Sequence, residues 1–148
     1  MAAPNVVSLH LNVGSRKPLV PVERVSAMLE RGLEGDRHLK ADGRRTVLLM
    51  EQEVLDRFGL EPGAVREQVT VRGLELMKLV FGSRLRIGTA TLEVAGPCAP
   101  CERMDEIRTG LRTELEGRRG RFVRVVEAGS FAVGDGIAIL PPSGPAAG

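Results

Sequence analysis

The sequence predicts an α+β fold: a strand-rich, barrel-like architecture with a few short helices. Two observations carry this. Short apolar or alternating runs recur along the chain, separated by turns rich in Gly and Pro. Only two stretches have helical spacing, and the long alternating helices of a parallel layered sheet are missing.

Residues 6–13 (VVSLHLNV) alternate well enough for an edge or barrel strand. Residues 20–25 (VPVERV) are a second strand, in which Pro21 is tolerable only at an edge or a bulge. Residues 45–50 (RTVLLM) are short, apolar and expected to be buried. Residues 51–58 (EQEVLDRF) have helical spacing at Val54, Leu55 and Phe58, and Gly59 stands where a helix C′ glycine belongs. Residues 67–71 and 85–94 read as strands around turn glycines. Residues 102–115 form the second helix, whose middle Gly110 weakens by up to about 1 kcal/mol relative to Ala. A strand at 122–126, a turn at 127–130 and a last strand near 136–140 complete the pattern. The 148 residues fit one domain, assigned to 1–140. The segment 141–148 (PPSGPAAG) is expected to be a flexible tail.

Hydrophobic content of 43% and charged content of 27% are those of an ordinary globular protein. A net charge of +2 is too balanced for a general nucleic-acid binder, though it permits a local basic site. With no Trp, no Tyr and four Phe, a base-stacking platform is also disfavoured, so no nucleic-acid partner is expected. No run is long and apolar enough to span a bilayer, and the N-terminus lacks a basic segment followed by an apolar one. The expectation is a cytoplasmic protein with no membrane association. In that compartment a cysteine pair is less often a structural disulfide than a reactive or metal-binding pair.

Both cysteines stand in AGPCAPCERMD, residues 95–105. A structural zinc site needs four ligands, and the chain offers Cys98, Cys101, His10 and His38 in unrelated segments, so no zinc is expected. A thioredoxin-like dithiol is a second reading, but that motif belongs early, after a βαβ pattern, and here it comes late. The third reading is one activated thiol. Pro97 and Pro100 stiffen the backbone, and Cys101 precedes a helix start, where the dipole and Arg103 favour a thiolate. Glu102, Asp105 and Glu106 oppose it. A pair of small cysteines packed in a tight turn fits the same residues.

A second constellation is RGLEGDRHLK, residues 31–40, with Arg44 and Arg45 close behind. Gly32 and Gly35 allow a sharp loop, while Arg37, His38 and Lys40 provide cationic or hydrogen-bonding tips suited to phosphate or another anion. It is not a P-loop, and a solvated charged turn is the plainer local reading.

Taken together, GLEGDRH (32–38), RRTVLLMEQEVL (44–55), REQVTVRGLEL (66–76), GSRLRIGTATLEVAGPCAPCERM (82–104) and VRVVEAGSFAVGDGI (123–137) resemble a MOSC domain. That module is named after the C-terminal part of molybdenum cofactor sulfurase. The resemblance spans roughly residues 6–140 and rests on the order and spacing of the motifs. It implies a MOSC-type β-barrel and a family cysteine behind a proline, which maps onto Pro100-Cys101. Cys98 falls at a more variable position, as an auxiliary or resolving thiol.

The resemblance further implies molybdenum cofactor (molybdopterin) chemistry. Some members are proposed to carry sulfur as a persulfide; others hold the cofactor with the cysteine as metal ligand and reduce N-hydroxylated compounds. Arg37, His38, Arg45 and Arg66 are then candidates for the pterin phosphate and ring edges, and Cys101 for the molybdenum. No desulfurase domain, pyridoxal-phosphate lysine motif or iron–sulfur cysteine set occurs in these residues. Sulfur or electrons would come from another protein, such as a pyridoxal-phosphate-dependent cysteine desulfurase or a molybdoenzyme partner. Gln68 departs from the Asn of many relatives, which puts one loop hydrogen bond in doubt. A function from another class stays open: a non-catalytic binding module for an anionic small ligand or a partner protein, with CAPC a structural turn.

Overall fold

The computed structural model describes residues 3–14, 16–37, 47–98 and 102–141. Eight strands form a mixed sheet in the order β11 (Ile137–Leu140), β7 (Arg84–Ile87), β8 (Ala90–Pro97), β9 (Arg121–Glu127), β5 (Val47–Glu51), β6 (Val69–Arg72), β1 (Asn5–Leu11), β2 (Val20–Val22). A three-stranded sheet has the order β10 (Gly129–Ala132), β3 (Arg24–Met28), β4 (Gly32–Leu33). Helices α1 (Gln52–Arg57), α2 (Glu102–Ile107) and α3 (Leu111–Glu114) are all short, and a 3-10 turn covers Leu76–Lys78. The fold is therefore the strand-rich α+β arrangement expected. The described ladder has two edges, β11 and β2, and is not continuous around a barrel. Its ends do approach: Asn5 and Gly136 form an isolated antiparallel bridge, and the Val6 N–H donates to the Asp135 carbonyl at 2.9 Å.

The burial of β5 follows from its neighbours. It pairs parallel with β6 and antiparallel with β9, and four of its five residues are buried. Successive side chains of a strand point to opposite faces. Val47 and Leu49 enter the main core with Leu9, Val69, Leu85, Leu92 and Phe131. Met50 enters a second core with Leu55, Val65, Met104, Leu111 and Leu115. A strand covered on both faces reads as a continuous apolar run, which is why VLLM carries no alternation.

The first helix ends as expected. Gly59 has φ +66°, its N–H donates to the Asp56 carbonyl at 3.2 Å, and the Leu60 N–H donates to the Leu55 carbonyl at 2.8 Å. These are the two bonds of a Schellman cap, closed by contact of Leu55 and Leu60 within the second core.

Three expectations are corrected in detail. The strand at 20–25 is two strands: β2 pairs with β1, β3 pairs with β10, and the chain changes sheet at Glu23. Pro21 sits on the edge strand, where its missing N–H costs no ladder bond. The run 85–94 is a hairpin, because Ile87 faces Ala90 across a two-residue turn. The helix at 102–115 is broken into α2 and α3, since Gly110 adopts φ +88° and caps α3 in the left-handed region. Of the expected tail, residues 142–148 lie outside the described residues.

Two glycines make contrasting tests of backbone constraint. A Cβ at Gly59 would meet nothing within 4 Å, so Gly59→Ala carries only the left-handed backbone penalty, about 1 kcal/mol. A Cβ at Gly129 would collide with the backbone of Thr89 and Ala90, which cannot yield like a side chain. Gly129→Ala should cost about 2–3 kcal/mol in urea unfolding, clearly more than Gly59→Ala.

Glu51, at the junction of β5 and α1, has its carboxyl pKa raised by burial, with Glu53 and Glu75 adding to the rise and a Leu76 backbone hydrogen bond opposing it. The folded state then holds this proton more tightly than the unfolded state does. Its unfavourable contribution grows as pH rises from the ordinary carboxylate range through the raised folded pKa. Glu51→Gln should therefore stabilise the protein at neutral pH, and the gain should vanish in acid, as read by denaturant midpoints across pH.

Candidate functional site

Where β1 ends, the chain is held by a buried polar network. Asp36 is buried, and its Oδ2 accepts from the Asn12 N–H at 2.8 Å. Its Oδ1 lies 3.5 Å from the Gln68 side-chain nitrogen, while Gln68 Oε1 accepts from the Leu48 N–H at 2.9 Å. Gln68 thus links the loop to β5 through its longer side chain. The Arg37 N–H donates to the Asn12 carbonyl at 2.7 Å, fixing where the Arg37 backbone leaves the network.

Arg66 completes this corner. Its backbone is left-handed at φ +65°, and its guanidinium donates to the Lys17 carbonyl at 2.9 Å, the Gly14 carbonyl at 3.1 Å and Asn12 Oδ1 at 3.2 Å. Its pKa is lowered by burial first, then by the positive charges of Arg103 and Arg37. Three guanidinium groups therefore share one region with mutual repulsion, a condition that an incoming anion relieves.

Beside them is a cavity of about 570 Å³ lined by His10, Leu19, Gly63, Arg66, Arg103 and Met104, among others. His10 is buried, with Nδ1 3.2 Å from the Glu67 carbonyl oxygen and Nε2 2.8 Å from Ser8 Oγ. A carbonyl only accepts, so these bonds assign the proton to Nδ1 and leave Nε2 as acceptor from the serine. Glu67 is fully buried; its Oε2 accepts from the Gly63 N–H at 2.9 Å and from Thr70 Oγ1 at 2.7 Å. The loop 61–68 that forms one wall is thus pinned from beneath. Glu106, which also lines the cavity, forms an exposed ion pair with Arg16 at 2.8 Å, which lowers the Glu106 carboxyl pKa.

Cys98 closes β8, half-buried, with its N–H donating to the Gly120 carbonyl at 3.0 Å. Two buried arginines, Arg119 and Arg121, flank Gly120 in sequence. Arg121 donates to the carbonyls of Ala95 at 2.7 Å, Leu76 at 3.0 Å and Leu79 at 2.9 Å, and burial lowers its pKa. Arg119 donates to the Val65 carbonyl at 2.7 Å.

Of the residues singled out in the sequence, Arg37 and Arg66 come together. Cys101, His38 and Arg45 lie outside the described residues, and Cys98 is at a strand end rather than among those that line the cavity. Sequence reading missed the roles of His10, Asn12, Asp36 and Arg119. The signal that could have found Arg119 is the basic run RRGR at 118–121 inside a strand-rich region. His10 gave none, because a lone histidine in an alternating strand is ordinary. Among the described residues no group of three or more His, Cys, Asp or Glu is arranged to hold a metal ion. No helix among them is long and apolar enough to cross a membrane.

A sequence model of the MOSC domain matches residues 38–138, more than half of the chain. The chain belongs to the MOSC domain family. Its fold is also shared by solved structures of low sequence identity. The YuaD protein from Bacillus subtilis superposes with a TM-score of 0.81 at 18% identity, covering 93% of this chain and 96% of that one. YiiM from Geobacillus stearothermophilus gives 0.74 at 20% identity, covering 93% and 75%. YiiM from Escherichia coli gives 0.70 at 17%, covering 92% and 69%. Comparison with curated protein sequences returns no match. The MOSC domain family is associated with molybdenum cofactor sulfurase-like proteins.

If the guanidinium cluster binds anions, phosphate in place of chloride should raise the thermal midpoint by a few degrees through binding to the folded state alone. Arg103→Ala should remove most of that rise while leaving the midpoint in chloride nearly unchanged, since Arg103 makes none of the loop-pinning bonds that Arg66 makes.

Proposed function

We propose that this MOSC protein binds the molybdenum cofactor, or carries sulfur destined for it, with Cys101 as the working thiol. The observation that carries the reading is the convergence of Arg37, Arg66 and Arg103 beside a cavity large enough for a pterin-sized ligand. Arg103 stands two residues after Cys101, so one member of the cationic wall and the family cysteine belong to one short stretch of chain.

The donor set fits an anionic pterin. Arg66 and Arg103 would hold its phosphate, with Arg37 adding positive charge, and guanidinium forks suit phosphate oxygens better than ammonium groups do. His38 and Arg45 belong to the same proposal as further contacts to the phosphate or ring edges. Molybdenum, when bound, would supply oxygen-atom and electron transfer, and the Cys101 thiolate is the soft ligand such a metal prefers. The chain's own contribution is to bind and orient. Positive charge from Arg103, two residues on, would favour the Cys101 thiolate, and His10, held at both ring nitrogens by Ser8 and Glu67, gives the cavity a fixed wall.

Sulfur carriage uses the same wall. The Cys101 thiolate would attack the outer sulfur of a donor persulfide. The donor's S–S bond would break, its cysteine would leave as a thiolate, and the new persulfide would stay on Cys101, where the charge of Arg103 two residues on favours its anion. A pyridoxal-phosphate-dependent cysteine desulfurase is the matching donor and a molybdoenzyme the matching acceptor, all within the cytoplasm. We take residues 1–140 as one such domain with a barrel-like closure, which the Asn5–Gly136 bridge supports.

Cys101→Ser keeps the side-chain volume nearly unchanged but removes a polarizable, ionisable sulfur. It should abolish molybdenum retention or persulfide labelling while circular dichroism stays unchanged; Cys98→Ser should reduce either readout less. Metal analysis with pterin fluorescence after oxidation separates the two forms of the proposal. Equal loss in both variants would indicate a true dithiol pair. Full retention in the double variant would make CAPC a structural turn and leave a binding module acting through the arginine wall.

A further inference from the structure

The two edges of the eight-stranded sheet are treated differently. Edge β2 has the sequence VPV, and Pro21 cannot donate to an added strand. Edge β11 has the sequence IAIL, with no charge, proline or bulge. Only its beginning is covered: the Ile137 N–H donates to the Pro4 carbonyl at 3.0 Å, next to the Asn5–Gly136 bridge. Residues 138–140 have β7 on one side and no strand on the other among the described residues. Ile139 is 52% exposed and Leu140 37%.

Along this edge is a groove of about 510 Å³ with Ile139, Leu74 and Leu79 as apolar walls and Glu51, Glu53 and Glu75 at its rim. Val80 and Phe81, the next residues after Leu79, are 63% and 69% exposed. Apolar surface therefore continues past the groove toward β7, whose first residue, Arg84, faces Leu140. Charge is only partly balanced. Lys78 pairs with Glu75 at 2.9 Å, and Glu53 accepts from the Gly73 N–H at 2.7 Å. Glu51 is left with a half-buried carboxyl whose ionisation the other two glutamates oppose.

We propose that the open edge of β11 and its acidic groove dock an extended basic segment of a partner protein by strand addition. Main-chain bonds to residues 138–140 would extend the sheet, a Lys or Arg would meet the glutamate rim, and apolar residues at alternate positions would cover Ile139, Leu140 or Phe81. Charge selects this occupant over two others. A second copy of the chain would bring the same glutamates to the interface from both sides, because a two-fold contact repeats one patch. The chain's own segment 141–148 contains Pro141, Pro142 and Pro145 and no charged residue, so it can neither continue a ladder nor neutralise the rim.

The test uses the full chain and a fluorescein-labelled, N-acetylated heptapeptide of alternating Lys and Val, followed by anisotropy at low and moderate salt. Three control probes carry Glu for Lys, N-methyl groups on alternate backbone amides, or prolines in place of the valines. Binding of the Lys–Val probe should weaken by about tenfold with Ile139→Lys and likewise with Glu51→Gln combined with Glu75→Gln, and should fall with salt. The three control probes should bind at least about tenfold more weakly. Ile139 is exposed, so its replacement leaves the core intact, and Phe81→Ser, also at an exposed position, gives a second variant that changes no charge and should also weaken binding. No binding at millimolar peptide overturns the proposal. So does binding that the N-methyl groups or Ile139→Lys leave unchanged, which would mean unspecific charge attraction. Self-association in sedimentation that Ile139→Lys abolishes would assign the edge to a second copy instead. Molybdenum content and persulfide labelling use neither surface, so they stay unchanged in every one of these variants.

Discussion

Burial of β5 on both faces organises the rest of the molecule. A central strand cannot expose its backbone groups, and β5 satisfies them by pairing with β6 on one side and β9 on the other. Its side chains then alternate between two cores that share no residue: Leu49 among strands, Met50 among helices. The helices are confined to one face of the sheet as a consequence. The parallel pairing with β6 requires a crossover, which α1 and the loop 61–68 supply, and that loop carries the residues that line one wall of the cavity.

The cavity wall depends on buried polar groups that are costly unless paired. Asp36, Gln68, Glu67 and Thr70 are buried, and each contributes a hydrogen bond to backbone or to a neighbouring side chain. Removing one partner of such a network leaves the other desolvated, a loss of about 1–3 kcal/mol that exceeds the net value of the bond itself. This asymmetry makes the loops rigid supports. Arg66 is the point where support meets chemistry, because its guanidinium pins the 12–17 loop while adding charge to the cationic wall.

Arginine elsewhere in the chain serves packing. Arg121 satisfies three carbonyls from β8 and the 3-10 turn, acting as an internal bracket between segments that no strand pairing joins. The net charge of +2 therefore says little about where positive charge acts. Some cations face their counter-charges on the outer sheet surface, as Arg124 does with Glu93 and Glu30. Others are consumed by backbone, and only the remainder shape the site.

The sequence by itself determined the class of fold, most strand positions, the cap of α1 at Gly59 and the family. These are local matters: a period of two, a left-handed glycine, and motifs in a fixed order. It also marked Gly110 as a weak point, and tertiary structure turned the weakness into a break. Only the folded chain decided that residues 20–25 divide between two sheets, because the alternation of a strand is the same whichever sheet receives it. The site divided along the same line. Arg37 and Arg66 were legible as cations in glycine-bearing or strand-flanking loops. Their meeting with Arg103 and His10 was not, since those four residues come from four separate segments: His10 from β1, Arg37 from the turn after β4, Arg66 from the loop before β6 and Arg103 from α2. Sequence pattern carries information along the chain over a few residues, whereas a site of this kind is set by contacts between segments tens of residues apart, through backbone bonds that every residue type but proline can make.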